Sequence, residues 1–413
     1  MTSKQGYELN IGIDWATSKH DVCIEFPDGK RRFDIIKASP EYIDEWITSL
    51  HQKYPGQIAV AVELCKGPIV YALQKYEFVT IFPINPTTLA RYRTAFSPSG
   101  AKDDPIDAEL ALDIMLRYPE KIKPLHNQSV EIRKLAFLVE QRRRLVEDKK
   151  RYSNRIINTL KQYYPQVLEW FSHRDTQLFS DFLIRWPSLT KIKRTRESTV
   201  RAFFKKRRGN AVSRLEQRIV SINNAIPLTE DEAVVQSHEL LITALAQQLQ
   251  TVIVAVKSFD IAIFELFNGM SDAPIFKSLP GTGPCLAPRL LVAMGENRDR
   301  FESAAEVQTY SGVAPVTERS GKKSWVHWRW QCSKFLRQSF IEWSEKSVSQ
   351  SFWASLYYNQ QRAKGKSHNA AIRALAFKWI RILFKCWKSH KPYCETKYLL
   401  ALKERNSPLL MTN

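Results

Sequence analysis

Four carboxylates in the first third of this 413-residue chain stand at positions where their type and order can do chemistry. Asp14 sits in the middle of the apolar run IGIDWA (11–16), and Glu63 lies near the end of QIAVAVELC (57–65). Asp104 and Asp107 lie three apart in KDDPIDAEL (102–110), so they share one face as a helix begins there. A carboxylate in an apolar strand is unfavourable unless it is paired or bound to metal. Several converging carboxylates suit Mg²⁺ or Mn²⁺, hard cations that take oxygen ligands. Two such ions about 4 Å apart bind both sides of a phosphate, one at the attacking and one at the leaving oxygen. Any one of these acids alone reads as a cap or an ion-pair partner. Their order (strand Asp, later-strand Glu, Asp-x-x-Asp opening a helix) is a layout for phosphoryl transfer.

Two further segments carry chemistry in the rear. Gly281-Thr282-Gly283 precedes an apolar helical stretch, and amides exposed at a helix start bind phosphate. The segment resembles a helix-hairpin-helix element, which grips a DNA backbone without reading bases, although Thr282 stands where an apolar residue is more usual. Ser320 is flanked by Arg319, Lys322 and Lys323, cations that assist ionisation of a hydroxyl and attract a phosphodiester. Read from the residues alone, a Ser-Gly in a basic loop is also a plain turn. Trp325, Trp328 and Trp330 have the faces to stack on bases, but large apolar rings in such a run are more readily core residues of a strand. His327 has no partner nearby in sequence and receives no role.

The charge balance narrows the partner. The chain has 62 Lys and Arg against 42 Asp and Glu, a net charge of +20 that points to a polyanion, nucleic acid ahead of a membrane surface. Residues 1–125 hold 15 basic and 17 acidic side chains, residues 126–220 hold 23 and 9, and residues 221–413 hold 24 and 16. The basic middle, including Lys205, Lys206, Arg207 and Arg208 in FFKKRRGN (203–210), is therefore the expected nucleic-acid surface. The N-terminus has no apolar run of signal-peptide length, and the apolar windows 240–259 and 370–387 are broken by Gln, Lys or Arg. Neither secretion nor a membrane span is expected. Six scattered cysteines form no CxxC pair, which fits a reducing cytosol without a zinc site.

Elements must position these residues. The front alternates three hairpin strands (11–16, 21–26, 31–36), a helix (40–53), a buried strand (57–65), a helix from Pro68, a strand (79–84) and a helix from near Pro105 to 118. That order is ribonuclease H-like. A long basic helix is expected over 128–164, a less regular stretch over 165–210, and a second long helix over 229–268, opened by Thr229. Its apolar face reads as Leu240, Leu241, Ala244, Leu245, Leu249, Val252, Val256, Phe259 and Ile263. At 1.5 Å per residue such a helix is about 60 Å long, and two of them suit an antiparallel hairpin or a dimerising coiled coil. The expected domains are 1–127, 128–270 and 271–413.

Taken together, Gly12-Ile13-Asp14, Glu63, the block Lys102 to Ala108, the turn 280–283, the stretch from Gly312 to Gly321, Phe335-Leu336-Arg337 and Pro392-Tyr393 resemble one family. This is the DEDD-type transposases of bacterial insertion sequences, also described as bridge-RNA-guided serine recombinases and related to Piv-type invertases. The resemblance implies a RuvC-like ribonuclease H fold with Asp14, Glu63, Asp104 and Asp107 as ligands of Mg²⁺ or Mn²⁺. Asp103 stands where Thr is common, so Asp103 and Asp104 both remain open as the ligand, the three-residue spacing favouring Asp104. It further implies Ser320 as the nucleophile that forms a phosphoserine with DNA, ahead of the second serine Ser311. The implied partners are donor and target DNA, a structured guide RNA on the basic middle, and further copies of the chain as a dimer or tetramer. The setting would be the bacterial cytoplasm, at the nucleoid. The rival expectations are a RuvC-like nuclease using metal-bound water, and a non-catalytic nucleic-acid-binding protein.

Overall fold

The computed structural model describes residues 6–96, 104–125, 128–206, 212–321 and 323–410. The chain forms two compact units, Met1–Asn127 and Gln128–Asn413. The second contains both the expected middle and the expected rear region.

In the first unit, strands β1 (Leu9–Trp15), β2 (Lys19–Glu25) and β3 (Arg31–Lys37) lead into helix α1 (Pro40–Lys53). Strand β4 (Ile58–Val62), helix α2 (Pro68–Leu73), strand β5 (Val79–Pro83) and helices α3 (Pro86–Phe96) and α4 (Asp104–Arg117) follow. The sheet order is β3-β2-β1-β4-β5; β1, β2 and β3 pair antiparallel, while β4 runs parallel to β1 and β5 parallel to β4. This mixed five-stranded sheet fits the ribonuclease H-like expectation. The hairpin order and the Pro-started helices α1 and α2 are where the sequence places them. Helix α3 was not foreseen; its run from Pro86 lacks a clear apolar stripe.

The two faces of this sheet differ in side-chain size. Ile11, Ile13, Val22, Ile24, Ile58, Val60 and Val62 pack one face against α1 and α2. The other face presents Cys23, Ala59 and Ala61, which cluster with Ala108, Ala111 and Leu112 of α4. Gly12 belongs to this face, opposite Cys23 on one side and Ala61 on the other. A Cβ on Gly12 would lie 2.0 Å from the Ala108 carbonyl oxygen and 2.9 Å from the Leu112 Cβ. Only a strand without a side chain there lets α4 come down onto β1.

The second unit begins with α5 (Val130–Tyr163), followed by short helices α6 to α10 (Val167–Trp170, Gln177–Arg185, Leu189–Lys193, Glu197–Lys206 and Val212–Asn224) and by α11 (Glu232–Asn268). The two long helices pair antiparallel within one chain. Ile132, Leu135 and Val139 share a core with Ile263 and Phe267, whereas Ile156 and Leu160 share another with Ile242, Leu245 and Leu249. The expected apolar face of α11 needs correction: Leu240 is 77% exposed and Leu241 is 42% exposed, while Ile242, Ala246 and Ile253 are buried instead. The helix also starts later than Thr229. Asp231 is its cap, accepting from the Ala233 amide, and Thr229 accepts from the Asp231 amide.

The rear of this unit comprises α12 (Ala273–Lys277), α13 (Gly283–Met294), α14 (Ala304–Tyr310), the hairpin β6 (Val316–Ser320) and β7 (Lys323–His327), α15 (Lys334–Ser347), α16 (Phe352–Ala363), α17 (His368–Lys388) and α18 (Glu395–Glu404). Trp343, Trp353, Trp379 and Trp387 form its centre, fully buried. Each indole N–H has a partner: Pro280 O at 2.9 Å, Tyr393 Oη at 2.8 Å, Ser347 Oγ at 2.7 Å and Gly295 O at 2.8 Å. Large apolar area with all four of these indole donors paired holds the helices of this region together.

The approach at Gly12 yields a first check. Gly12→Val should cost about 1–3 kcal/mol by overpacking α4 against β1, lowering the urea midpoint of the full chain. An unchanged midpoint would show that α4 does not rest on this strand.

Candidate functional site

Alternation along β1 puts Asp14 on the same face as Gly12, and alternation along β4 puts Glu63 on the face of Ala59 and Ala61. The parallel ladder's last pair is Ile13 with Val62, so Asp14 and Glu63 each stand one residue beyond it, on adjacent strands. Both are half-buried. Helix α4 covers this face with Ala108 over Gly12, and it runs back along the strand: Asp113 and Glu109 pair with Arg31 at 2.7 and 3.0 Å, at the opposite end of β1, where Asn10 aligns with Glu25 and Glu25 with Arg31. The first turn of α4, with Asp107, therefore lies toward the Asp14 end. Of Asp104 the backbone opens α4; its side chain, with Lys102 and Asp103, lies outside the described residues.

Asp107 is 2% exposed, and Arg93 of α3 donates to both its oxygens, Nε to Oδ1 and Nη2 to Oδ2, each at 2.5 Å. A two-pronged guanidinium contact is the strongest partner a side chain offers a buried carboxylate. Sequence reasoning missed Arg93, which sits on the unforeseen helix. It also missed Asp21, 3% exposed, directly across the ladder from Asp14 and salt-bridged to Lys19 at 3.2 Å. Asp21 stands in an alternating strand, KHDVCIE, where an acid reads as a solvent-facing residue. Beside it His20 accepts from the Ala16 amide at 3.3 Å, and burial pushes its pKa down.

For a divalent ion the donor chemistry fits: Asp14 and Glu63 are carboxylate oxygens at neighbouring strand ends. Among the described residues, however, no group of three or more His, Cys, Asp or Glu side chains is close enough to hold a metal. Of the other two expected ligands, Asp104 has its side chain outside the described residues and Asp107 is held by Arg93.

Ser320 closes β6 and faces Lys323 across a tight turn whose Gly321 has φ 56°, a conformation that favours glycine. Ser320, Arg319 and Lys323 are exposed, and Lys322 lies outside the described residues. Ser311, in contrast, is fully buried and donates to the Gln308 carbonyl at 3.3 Å, so its hydroxyl is out of reach of DNA. Of the three tryptophans expected in a strand core, Trp325 is 43% and Trp330 80% exposed. The hairpin is a separate two-stranded sheet with nothing large to bury them. Trp328 is gripped between Arg337 and Arg373, whose guanidinium carbons lie 4.8 and 3.8 Å from its ring centre. His327 gains a partner that the sequence hid, Glu318 on the opposite strand at 3.2 Å. The hairpin's base is fixed by Gly312, where a Cβ would lie 2.2 Å from the Cys332 sulfur, and by Arg337 donating to the Arg329 carbonyl at 3.0 Å.

The turn 280–283 joins α12 to α13 as read, but its parts divide. Thr282 is 3% exposed and its hydroxyl donates to the Phe276 and Leu279 carbonyls at 3.1 and 2.8 Å. Gly281 packs against the backbone of Lys346 and Ser347, 2.7 Å from a built Cβ. These two lock the turn, and Gly283 with the start of α13 is the exposed part. Lys205 and Lys206 are exposed in the last turn of α9; Arg207 and Arg208 lie outside the described residues.

Residues 11–165 match the family described as Transposase, of the IS110 DEDD type. Residues 273–359 match the family described as Transposase IS116/IS110/IS902. The chain is 28% identical over 400 residues to a mini-circle putative transposase for IS117 from Streptomyces coelicolor, covering 94% of this chain and 95% of that protein. It is 22% identical over 380 residues to an uncharacterized 44.8 kDa protein of insertion element IS116 from Streptomyces clavuligerus, covering 91% and 93%. An uncharacterized 42 kDa protein of insertion element IS900 from Mycobacterium paratuberculosis is 25% identical over 304 residues, covering 71% and 73%.

The Arg93–Asp107 pair supplies the second check. Arg93→Met leaves a buried carboxylate uncompensated and should cost about 3–5 kcal/mol in metal-free buffer. Millimolar Mg²⁺ should then raise the melting temperature of Arg93→Met but not of Arg93→Met/Asp107→Asn. Equal responses of the two variants would remove Asp107 from any metal site.

Proposed function

We propose that this chain, which belongs to the transposase family of IS110-type insertion elements, recombines DNA by transesterification at Ser320, aided by a divalent metal on its front carboxylates. The observation that carries the reading is the register that sets Asp14 and Glu63 on adjacent strand ends, on the face closed by the Asp107 helix. Asp14, Glu63 and Asp104 would hold the ion, with Asp107 exchanging its Arg93 contact to join them. The metal, when bound, polarises the scissile phosphate and offsets charge that builds on its oxygens.

The serine step balances as follows. The Ser320 hydroxyl gives its proton to solvent while Oγ bonds to phosphorus. One phosphorus–oxygen bond to the deoxyribose breaks, and the departing oxygen takes a proton to become a hydroxyl. Attack by a hydroxyl of another strand reverses these changes and frees Ser320, so the phosphodiester energy is kept and no ATP is used. Arg319 and Lys323, exposed beside Ser320, supply positive charge for the phosphate. Trp325 and Trp330 offer exposed rings for stacking on bases.

The remaining assignments follow the division into a catalytic front, a helical middle and a serine-bearing rear. The basic middle, with Lys205 to Arg208, would carry a structured guide RNA, and the exposed start of α13 a DNA phosphate. Leu240, Val254 and Ile261 are exposed on α11 at seven-residue multiples, an apolar stripe suited to a second copy of the chain. Work of this kind belongs on the bacterial nucleoid. No described helix is long and apolar enough to cross a membrane.

The test uses the full chain, Mg²⁺ and a duplex carrying the element end. The unaltered protein should leave a denaturant-resistant protein–DNA adduct, and Ser320→Ala should lower its yield at least about a thousandfold. Because Ser320 is exposed, the substitution should leave melting unchanged. A variant that cuts at the original rate would instead support metal-bound water as the nucleophile.

A further inference from the structure

Most of the rear region's net positive charge lies beyond the serine. Residues 271–361 carry eleven Lys and Arg against eight Asp and Glu, whereas residues 362–413 carry twelve against two. Part of that last segment lines a groove of about 560 Å³ between α17 and α18. Lys378, Arg381 and Lys385 line it from α17, Lys397 from α18, Arg405 from the residue that ends α18, and Lys391 from the link between the helices. Among the described residues no Asp, Glu, Asn or Gln lines it. Among the described residues none of these six cations has an ion-pair partner within 4 Å.

The groove is built rather than incidental. Ile382, Tyr398 and Ala401 add apolar surface to its lining. Tyr393, which the sequence marked in Pro392-Tyr393, fixes the link. Its amide donates to Ser278 Oγ at 2.8 Å, and its hydroxyl accepts from Trp353 Nε1 at 2.8 Å. The same hydroxyl donates to Glu395 at 2.7 Å, and Ser351 donates to that carboxylate at 2.9 Å. Glu395, beside the groove, is thereby hydrogen-bonded to Tyr393 and Ser351. Lys378 is half-buried, its amine 4.1 Å from the Tyr357 ring centre, and burial together with Arg381 pushes its pKa down. Charges held this close without anions are unfavourable alone and are relieved by an anion that spans them.

From this geometry we propose that the α17–α18 groove grips the phosphate backbone of duplex DNA without reading sequence, as a site separate from the Ser320 hairpin. Among the described residues the lining holds no Asn or Gln to pair with adenine and no Asp or Glu to pair with cytosine, and most hydrogen bonds that proteins make to DNA go to phosphate and sugar. Single-strand capture needs free rings, but Tyr393 and Tyr398 pack on Trp379 and Trp353 at 5.4 and 5.0 Å. A row of unpaired Lys and Arg matches the dense, regular charge of a duplex. The proposal rests on the transposase reading for its DNA, but not on Ser320 chemistry.

The test is equilibrium binding of the full chain to a 20-base-pair DNA duplex of arbitrary sequence, across a salt series. Lys385→Gln/Lys397→Gln should weaken binding about 30-fold near 0.15 M salt and reduce the salt slope by about 2, as expected for two lost phosphate contacts. Lys257→Gln/Lys346→Gln, equal in charge but outside the groove, should bind within twofold of the original. Equal losses in the two double variants, or no loss in the first, overturn the proposal. So does a loss confined to a duplex RNA of the same length, or to vesicles containing phosphatidylglycerol. Should the groove pair fail to fold, Lys391→Gln on the link carries the test, with about a fivefold loss and a slope change near 1 expected. Ser320→Ala should bind this duplex normally, so failed adduct chemistry and a failed groove give different results.

Discussion

The contact on which the first unit depends is the approach of α4 to β1 at Gly12. A helix that lies with its backbone carbonyl over a strand needs that strand to present no side chain, and it needs small neighbours on either side. Gly12, Ala59, Ala61 and Cys23 provide this surface, and Ala108 and Ala111 answer it from the helix. The opposite face carries branched aliphatic side chains and stands off its helices by their full size. Strand alternation then makes the small-residue face the acidic one at the end of the ladder, because Asp14 is two residues beyond Gly12 and Glu63 two beyond Ala61. The site is therefore a consequence of packing, and burial of Asp107 beneath Arg93 is its electrostatic completion.

The second unit divides its cations between structure and surface. Arg298 clasps Asp272 through two bonds of 2.6 Å, Arg289 pairs with Glu342, and Arg218 lies over Phe171 and Phe204. These guanidinium groups hold helices together and offer little to a phosphate. Among the described residues, cations that remain for a phosphate include the Lys and Arg of the α17–α18 groove, Arg319 and Lys323 of the β6–β7 hairpin, and Lys205 and Lys206 at the end of α9. A net charge of +20 thus overstates the available attraction and hides its uneven placement. The net charge counted for the rear belongs chiefly to its last 52 residues, beyond Ser320.

What was legible in the sequence was what local pattern encodes. Hairpin spacing, a continuous apolar run and proline-led helices gave the sheet of the first unit. What was hidden depends on contacts distant in sequence. Arg93 and Asp107 are 14 residues apart and meet only when α3 folds back, and α3 itself lacks a stripe to announce it. The face of α11 was misplaced because an all-round apolar helix offers several equally good stripes, and packing against α5 and α7 selected one. Trp325 and Trp330 looked like core residues by composition; a hairpin standing outside the main sheet leaves them in solvent. Thr282 was read as a phosphate contact from its neighbours, and its buried hydroxyl shows that the turn's interior is used for closure.

The central claim is that sheet register and the Gly12 approach assemble a metal centre, and diffraction from crystals soaked in Mn²⁺ tests it most directly. The account predicts an anomalous peak about 2.1 Å from carboxylate oxygens of both Asp14 and Glu63, with Asp107 or Asp104 completing the set. A soaked crystal with no peak there, or with the ion elsewhere and Asp107 still clasped by Arg93, would contradict it.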